Sequence, residues 1–338
     1  MLHEVVLSVR NLSVVFHTPD GDVVAVNDVS FDLRSGETLG IVGESGSGKS
    51  VTASSILRLN NSSTASTTGS ILISGVDVLT ADESEVRRIR GSEVAMIFQD
   101  PLSALNPYYT VGKQIAEAYL VHHSDASKTD ARRVTLEMLK KVGIPNPEKR
   151  IDEFPHQFSG GMRQRIVIAI ALVNNPKVLI ADEPTTALDV TVQAQILDLM
   201  KELQSEFNMA IVLITHDLGV IAESALDVLV MYGGRIVERS TVEALFSEPT
   251  HPYAWGLLGA VNSLESSGRG ALVTIAGSPP SLIALPSGCA FNPRCAHASD
   301  ICRTEVPLLR DVGSQGSVTA CHLSEDQILT LGRKAASR

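Results

Sequence analysis

Eight consecutive residues, Gly43-Glu-Ser-Gly-Ser-Gly48-Lys49-Ser50, have the types and spacing that hold a phosphate chain. They fit G-x-x-x-x-G-K-S/T, in which backbone N–H groups of a glycine-rich turn curl around phosphate oxygens. Gly43, Ser45, Gly46 and Gly48 would form that cradle, with Lys49 reaching the β and γ oxygens and the Ser50 hydroxyl ligating Mg²⁺. A second set is "VLIADEP", where four apolar residues deliver Asp182 and Glu183 to the end of a buried strand. Ligands of open α/β sheets bind at such strand ends. Asp182 would hold Mg²⁺ through its water shell, and Glu183 would polarise the water that attacks the γ-phosphorus. A third set, "FSGGMRQR", puts Ser159, Gly160 and Gly161 ahead of an apolar helix, where a hydroxyl and exposed N–H groups suit an anion. The same three residues also make an ordinary N-cap.

Cysteine is confined to the tail. Cys289, Cys295, Cys302 and Cys321 follow C-x5-C-x6-C-x18-C, and the chain contains no other cysteine. The pattern lacks the C-x2-C knuckles of a zinc ribbon, and spacing alone names no metal. Four thiolates are the ligand number of a 4Fe–4S cluster, but zinc and unmetallated thiols remain open on the same residues. His297 and His322 are further zinc candidates, and each also reads as a loop residue.

These groups need elements to carry them. "EVVLSVRNLSVVF" and "VVAVNDVSFDL" flank "HTPDGD", whose Pro-Asp-Gly predicts a hairpin. "ETLGIV" reads as a buried strand that enters the glycine loop, and "SVTASSILRL" as the helix that leaves it. "NNSSTASTTG" is expected to be a polar loop. From Leu102 to about Val173 helical spacing broken by prolines predicts an inserted helical subdomain. Short apolar strands in "KVLIADEP", "MAIVLITHD", "ALDVLVMYGG" and "RIVERS" then alternate with helices such as "TVQAQILDLMKELQSEF", an α/β core. Past about Phe246 the regularity gives way to Pro/Gly-rich chain, so the expected division is 1–247 and 248–338, the second part small and irregular. No internal repeat is visible.

Composition excludes several classes. With 28 basic against 38 acidic residues the net charge is −10, and no Lys/Arg run forms a nucleic-acid footprint. "MLHEVVLSVRNL" lacks the apolar core of a signal peptide. Apolar runs such as "IVIAIALV" fall far short of the roughly 20 residues of a membrane helix. A chain of 338 residues, 44% hydrophobic, has ample material for one large domain and an appendage.

The phosphate loop, "FQDP", "SGGMRQR", "ADEPTTALD" and "ITHD", in this order, resemble the nucleotide-binding subunit of an ATP-binding-cassette transporter over about Leu7 to Arg239. The resemblance implies a P-loop NTPase cassette with an antiparallel β subdomain and a helical subdomain, acting as an ATPase on ATP and Mg²⁺. It puts Phe16 against adenine, Gln99 beside Mg²⁺ and the attacking water, Asp189 in the loop that crosses a dimer interface, and His216 as the γ-phosphate switch. It makes Ser159, Gly160 and Gly161 face the phosphate loop of an opposite cassette, so one chain would not complete a site. Phe158 and Met162 depart from the commonest signature, and neither removes a phosphate-facing donor.

"HPYAWGLLGAV", "GSPPSL", "LPSGCAFNPRC" and "ACH" resemble the C-terminal extension of the ATPases of dipeptide and oligopeptide importers. That likeness implies two transmembrane permease subunits, a second and homologous cassette, an extracytoplasmic binding protein, and a peripheral place on the cytoplasmic face of the inner membrane. It favours the 4Fe–4S cluster over zinc. Nickel and glutathione importers share the pattern. A cassette acting on nucleic acid is a further alternative, against which stand the acidic charge and the lack of a coiled-coil insertion.

Overall fold

The computed structural model describes residues 4–100, 104–186, 188–265, 275–313 and 316–337. Leu102, the expected start of the helical subdomain, lies outside them. The chain opens with strands β1 (Val5–Thr18) and β2 (Gly21–Arg34), joined by a two-residue turn as the Pro-Asp-Gly signal predicts. β3 (Thr38–Val42), all five residues buried, enters the glycine loop, and helix α1 (Lys49–Ile56) leaves it. β4 (Ala65–Ile73) and β5 (Val76–Asp77) follow, then α2 (Glu83–Ile89) and β6 (Val94–Ile97). A helical stretch holds α3 (Val111–Leu120), α4 (Lys128–Lys141), the short α5 (Pro147–Arg150) and α6 (Gly160–Leu172). β7 (Val178–Asp182), α7 (Val190–Phe207), β8 (Ala210–Thr215), α8 (Leu218–Ser224), β9 (Asp227–Tyr232), β10 (Arg235–Thr241) and α9 (Val242–Ser247) complete the alternating part. The tail carries α10 (Pro252–Glu265), α11 (Asp300–Thr304), β11 (Arg310–Val312), β12 (Ser317–Thr319) and α12 (Glu325–Ala336).

The segment expected to be a polar loop is instead partly β4. Its Thr and Ser suit a strand with a partner, and β4 lies beside β1 in a four-stranded sheet of order β2-β1-β4-β5. Gly69 makes the approach feasible: its φ is +109°, and a Cβ there would lie 2.6 Å from the Arg10 carbonyl oxygen.

The chain divides into two compact units, Met1–Ser8 with Asp32–Glu37 and Ile71–Ile214, and Val9–Phe31 with Thr38–Ser70 and Thr215–Arg338. In the first, β6, β7 and β8 are parallel, with Val94 opposite Val178 and Val178 opposite Ala210. Leu179, Ile180 and Ala181 are wholly buried, as a parallel strand covered on both faces requires. Helix α6 packs on β6 and buries Ile166, Ile168, Ala169 and Leu172. Side-chain oxygens of Thr110, Ser127, Ser159 and Asp189 accept backbone N–H groups at the starts of α3, α4, α6 and α7.

In the second unit β3 runs parallel to β9, with Leu39 opposite Asp227, and β10 returns antiparallel to β9. The tail then continues this sheet. β12 pairs with β10, Glu238 opposite Thr319, and β11 pairs with β12. Helices α10 and α12 pack together. Tyr253, Phe291, Val312 and Ile328 are buried, so the extension has a core of its own, aromatic and assembled from distant segments, where periodicity alone indicated none. No helix among the described residues is long and apolar enough to cross a membrane.

Candidate functional site

The glycine loop has the backbone the motif demands. Gly43 sits at φ +155°, and a Cβ there would lie 2.3 Å from the Met231 carbonyl oxygen. Gly48, the residue before α1, is at φ +104°, with Ala25 O 2.5 Å from a Cβ position. No side chain fits either place. Gly46 is also left-handed, at +77°, but nothing lies within 4 Å of its Cβ position, so this face of the turn can be approached by a ligand. The loop curls over Lys49, whose Nζ donates to Gly43 O at 2.7 Å, Glu44 O at 3.0 Å and Ser47 Oγ at 3.4 Å. Lys49 is buried, while Ser45, Gly46 and Ser50 are exposed. These loop oxygens hold the Lys49 ammonium in place beneath the turn.

In the same unit Phe16 is half-buried on β1, compatible with a ring that presents one face. His216 is exposed just after β8. The chain turns there because Asp217 caps α8, its Oδ1 accepting Gly219 N–H at 2.8 Å and Val220 N–H at 3.4 Å.

The first unit holds the acid groups. Asp182 ends β7, buried, and Glu183 follows in the left-handed region at φ +48°. Such strain in a residue other than glycine concentrates at functional sites. Glu183 N–H donates to Ile214 O at 2.9 Å, which turns the chain. The Glu183 carboxylate is bonded by Gln99, Nε2 to Oε2 at 2.8 Å, and by Thr186 Oγ1 at 2.9 Å. Gln99 and Glu183, singled out for separate reasons, are thus direct partners.

Two contributors are not apparent from sequence. Thr186 is one. The other is Gln164, wholly buried in α6, whose Nε2 donates to Pro184 O at 2.6 Å and so braces the residue after Glu183. A polar residue at an apolar helix position was the only available signal. Ser159 Oγ accepts Met162 N–H at 3.4 Å, and Asp189 Oδ1 accepts Val192 N–H at 3.0 Å, so both serve as N-caps. Gly160 is exposed, and Gly161 lies against Val192, with 2.6 Å between a Cβ position and Val192 Cγ1.

The four cysteines gather as the spacing suggests, without forming a ligand set. Each is half-buried, and none is in a disulfide. Gly288, at φ +71°, lets Cys289 N–H reach Cys302 O at 2.9 Å. Burial first, and the neighbouring thiols after it, push Cys289 and Cys295 up to about 11 and raise Cys321. Among the described residues, however, no group of three or more His, Cys, Asp or Glu side chains is disposed to hold a metal ion. The expectation of a preformed cluster or zinc site is corrected to that extent, and burial keeps the Cys289, Cys295 and Cys321 thiols toward their neutral form. Neither histidine supplements them. His297 stands edge-on to Trp255 with ring centroids 5.6 Å apart, and His322 Nε2 meets Glu305 O at 2.9 Å.

A lysine held under a glycine turn between a buried strand and a helix has the form of a phosphate-binding loop. Sequence comparison narrows the class. The chain belongs to the ATP-binding subunits of ABC transporters, in the oligopeptide and dipeptide importer branch. Residues 26–186 match the ABC transporter family, and residues 237–302 match the oligopeptide/dipeptide transporter C-terminal region. It is 50% identical over 325 residues to the oligopeptide transport ATP-binding protein OppD of Salmonella typhimurium, covering 96% of either chain. It is 53% identical over 307 residues to the dipeptide transport ATP-binding protein DppD of Lactococcus lactis, covering 91% of this chain and 88% of that one. A solved dimeric ATP-binding cassette, in a post-hydrolysis state with ADP and Pi, is 27% identical with a TM-score of 0.62, over 70% of this chain and 98% of that one.

Proposed function

We propose that this chain binds and hydrolyses ATP to energise the import of dipeptides or oligopeptides. The observation that carries this is the union in one chain of a formed phosphate loop around Lys49 with a peptide-transporter C-terminal region. The functional division is a cassette, 1–247, and an extension, 248–338. The ATPase works at the cytoplasmic face of the membrane, under two permease subunits supplied by an extracytoplasmic binding protein. Its partner is a second cassette, identical or related; a neighbour of similar fold is described as dimeric.

Lys49 and the loop N–H groups hold the phosphates, and Phe16 packs on the base. Ser50 and Asp182 would hold magnesium, which supplies charge neutralisation of the phosphates. Glu183 is the general base. Gln99 and Thr186 fix its carboxylate, and an oriented base is what proton removal from a single water requires. His216 reads the γ-phosphate. Ser159, Gly160, Gly161 and Asp189 address the nucleotide of the second cassette. Glu183→Gln in the assembled transporter should retain ATP binding and lower turnover by roughly 10²–10⁴. Near-normal hydrolysis at the mutated site would overturn the assignment.

A second reading concerns the tail. The soft four-sulfur donor set, free of disulfides, suits a 4Fe–4S cluster and, as the alternative, zinc. Chain purified without oxygen and assayed for iron, sulfide and zinc decides between them, with about four irons per chain expected for a Cys₄ cluster. Absence of all three would leave the cysteines as plain thiols.

A further inference from the structure

Arg294 closes the turn of 3-10 helix Asn292–Arg294, between Cys289 and Cys295. Its guanidinium forks onto Glu44, the second residue of the phosphate loop, with Nη1 to Oε2 at 2.5 Å and Nη2 to Oε1 at 3.0 Å. The Arg294 side chain is 5% exposed and that of Glu44 27%. Arg294 is itself held from behind, Nε donating to Ala276 O at 2.9 Å and Nη1 to the Tyr232 hydroxyl at 3.3 Å. The Glu44 backbone is held as well. Its N–H donates to the hydroxyl of buried Tyr253 at 2.7 Å, and its carbonyl accepts from Lys49 Nζ and from Ser47 N–H at 3.2 Å. Tyr232, Tyr253 and Phe291 pack around this point, with Tyr232 and Phe291 edge to face at 5.1 Å between centroids.

A buried ion pair is weak as a source of stability, since apolar residues of equal volume serve as well. What a two-pronged Arg–carboxylate contact supplies is orientation. Here the oriented residue lies between Gly43 and Gly46, two of the three positive-φ glycines of the loop, Gly48 being the third. We propose that Arg294 is a positioning residue for nucleotide binding: through Glu44 it holds the phosphate loop in its cradle form, so the packing of the cysteine-bearing extension sets the affinity for ATP. This rests on Lys49 and its loop being the nucleotide site.

The test is equilibrium titration of the purified full chain with Mg·ATP, with melting temperatures recorded alongside. Arg294→Ala should weaken binding roughly ten-fold, the equivalent of one charge-assisted contact. Arg294→Lys, a point charge without a fork, should fall between. Glu44→Ala should match Arg294→Ala, and the double variant should be no worse than either single one, because both remove the same contact. A merely structural arginine would lower the melting temperature in both backgrounds and show no such non-additivity. Should Arg294→Ala not fold, Arg294→Lys with Glu44→Gln carries the same cycle. Affinity within two-fold of the parent, or additive losses, would overturn the proposal. Lys49→Ala separates the two readings: if it binds Mg·ATP like the parent, the nucleotide site is misassigned, whereas if it alone loses binding, the site stands and Arg294 has no part in it.

Discussion

In the phosphate loop the decisive bonds join residues five or six positions apart, Lys49 to Glu44 and to Gly43. In the extension they join residues 82 and 250 positions apart, Thr319 to Val237 and Arg294 to Glu44. A local arrangement is specified by a short string of residue types, and its tolerance is set by backbone conformation. A long-range one is specified by complementary groups in separate segments, and its tolerance is set by burial. The two regions should therefore fail differently when damaged.

The largest expected effect lies in the loop. Gly48→Ala drives a Cβ into Ala25 O, and nothing nearby can yield, since the obstacle is backbone. Mg·ATP binding by the full chain should be abolished. Gly46→Ala sharpens the comparison: it meets no atom and suffers only the left-handed backbone penalty of roughly 1–2 kcal/mol. Its binding should be weakened and still measurable in the same titration. Equal losses in the two variants would mean that conformation and not space governs the loop.

The second effect is smaller and lies where the extension meets β10. Glu238 is wholly buried on β10, where its two oxygens accept Thr250 N–H at 3.0 Å and His251 N–H at 2.7 Å. Burial outweighs those two donors and pushes its carboxyl up to about 7, while burial draws His251 down to about 3. The signs differ. A raised carboxyl contributes stability that is full below its ordinary value, near 4.5, and is lost as pH rises through about 7. A lowered histidine contributes stability that is full above its ordinary value, near 6.5, and is lost as pH falls. Glu238→Gln removes the first dependence, leaves the second, and presents an amide N–H₂ where an acceptor is needed. It should destabilise the chain by about 1–3 kcal/mol at pH 5, and the gap from the parent should narrow between pH 5 and pH 8 in denaturant titrations. A gap that widens with pH would mean that Glu238 is charged throughout.

The same contrast explains what the sequence made legible. The glycines and Lys49 of the loop could be read outright because they answer local demands, a positive φ, a close approach or a reach of one lysine length. β3, β7, β8 and β9 were legible because continuous apolar runs mark buried parallel strands. The bond of Gln99 to Glu183 spans 84 positions, and the brace from Gln164 to Pro184 depends on how α6 is turned. No spacing rule carries that information. The tail looked coreless because Tyr253, Phe291 and Ile328 share no period, although all three are buried in the folded chain. Cysteine spacing named no metal; it was the likeness to the importer extension that favoured a cluster, and among the described residues no group of three or more ligating side chains is disposed to hold one.

The pairing of β12 with β10 also bears on how the chain avoids its own kind. Strand β10 would otherwise end the sheet with a row of unpaired ladder groups across seven residues, a template on which another chain could build. β12 takes up the middle of that row, at Glu238 and Arg239, and there the border passes to β11, only three residues long and led by Arg310. A short, charged border offers little purchase for intermolecular strand addition. The extension is in this respect a hem on the sheet of the folded chain.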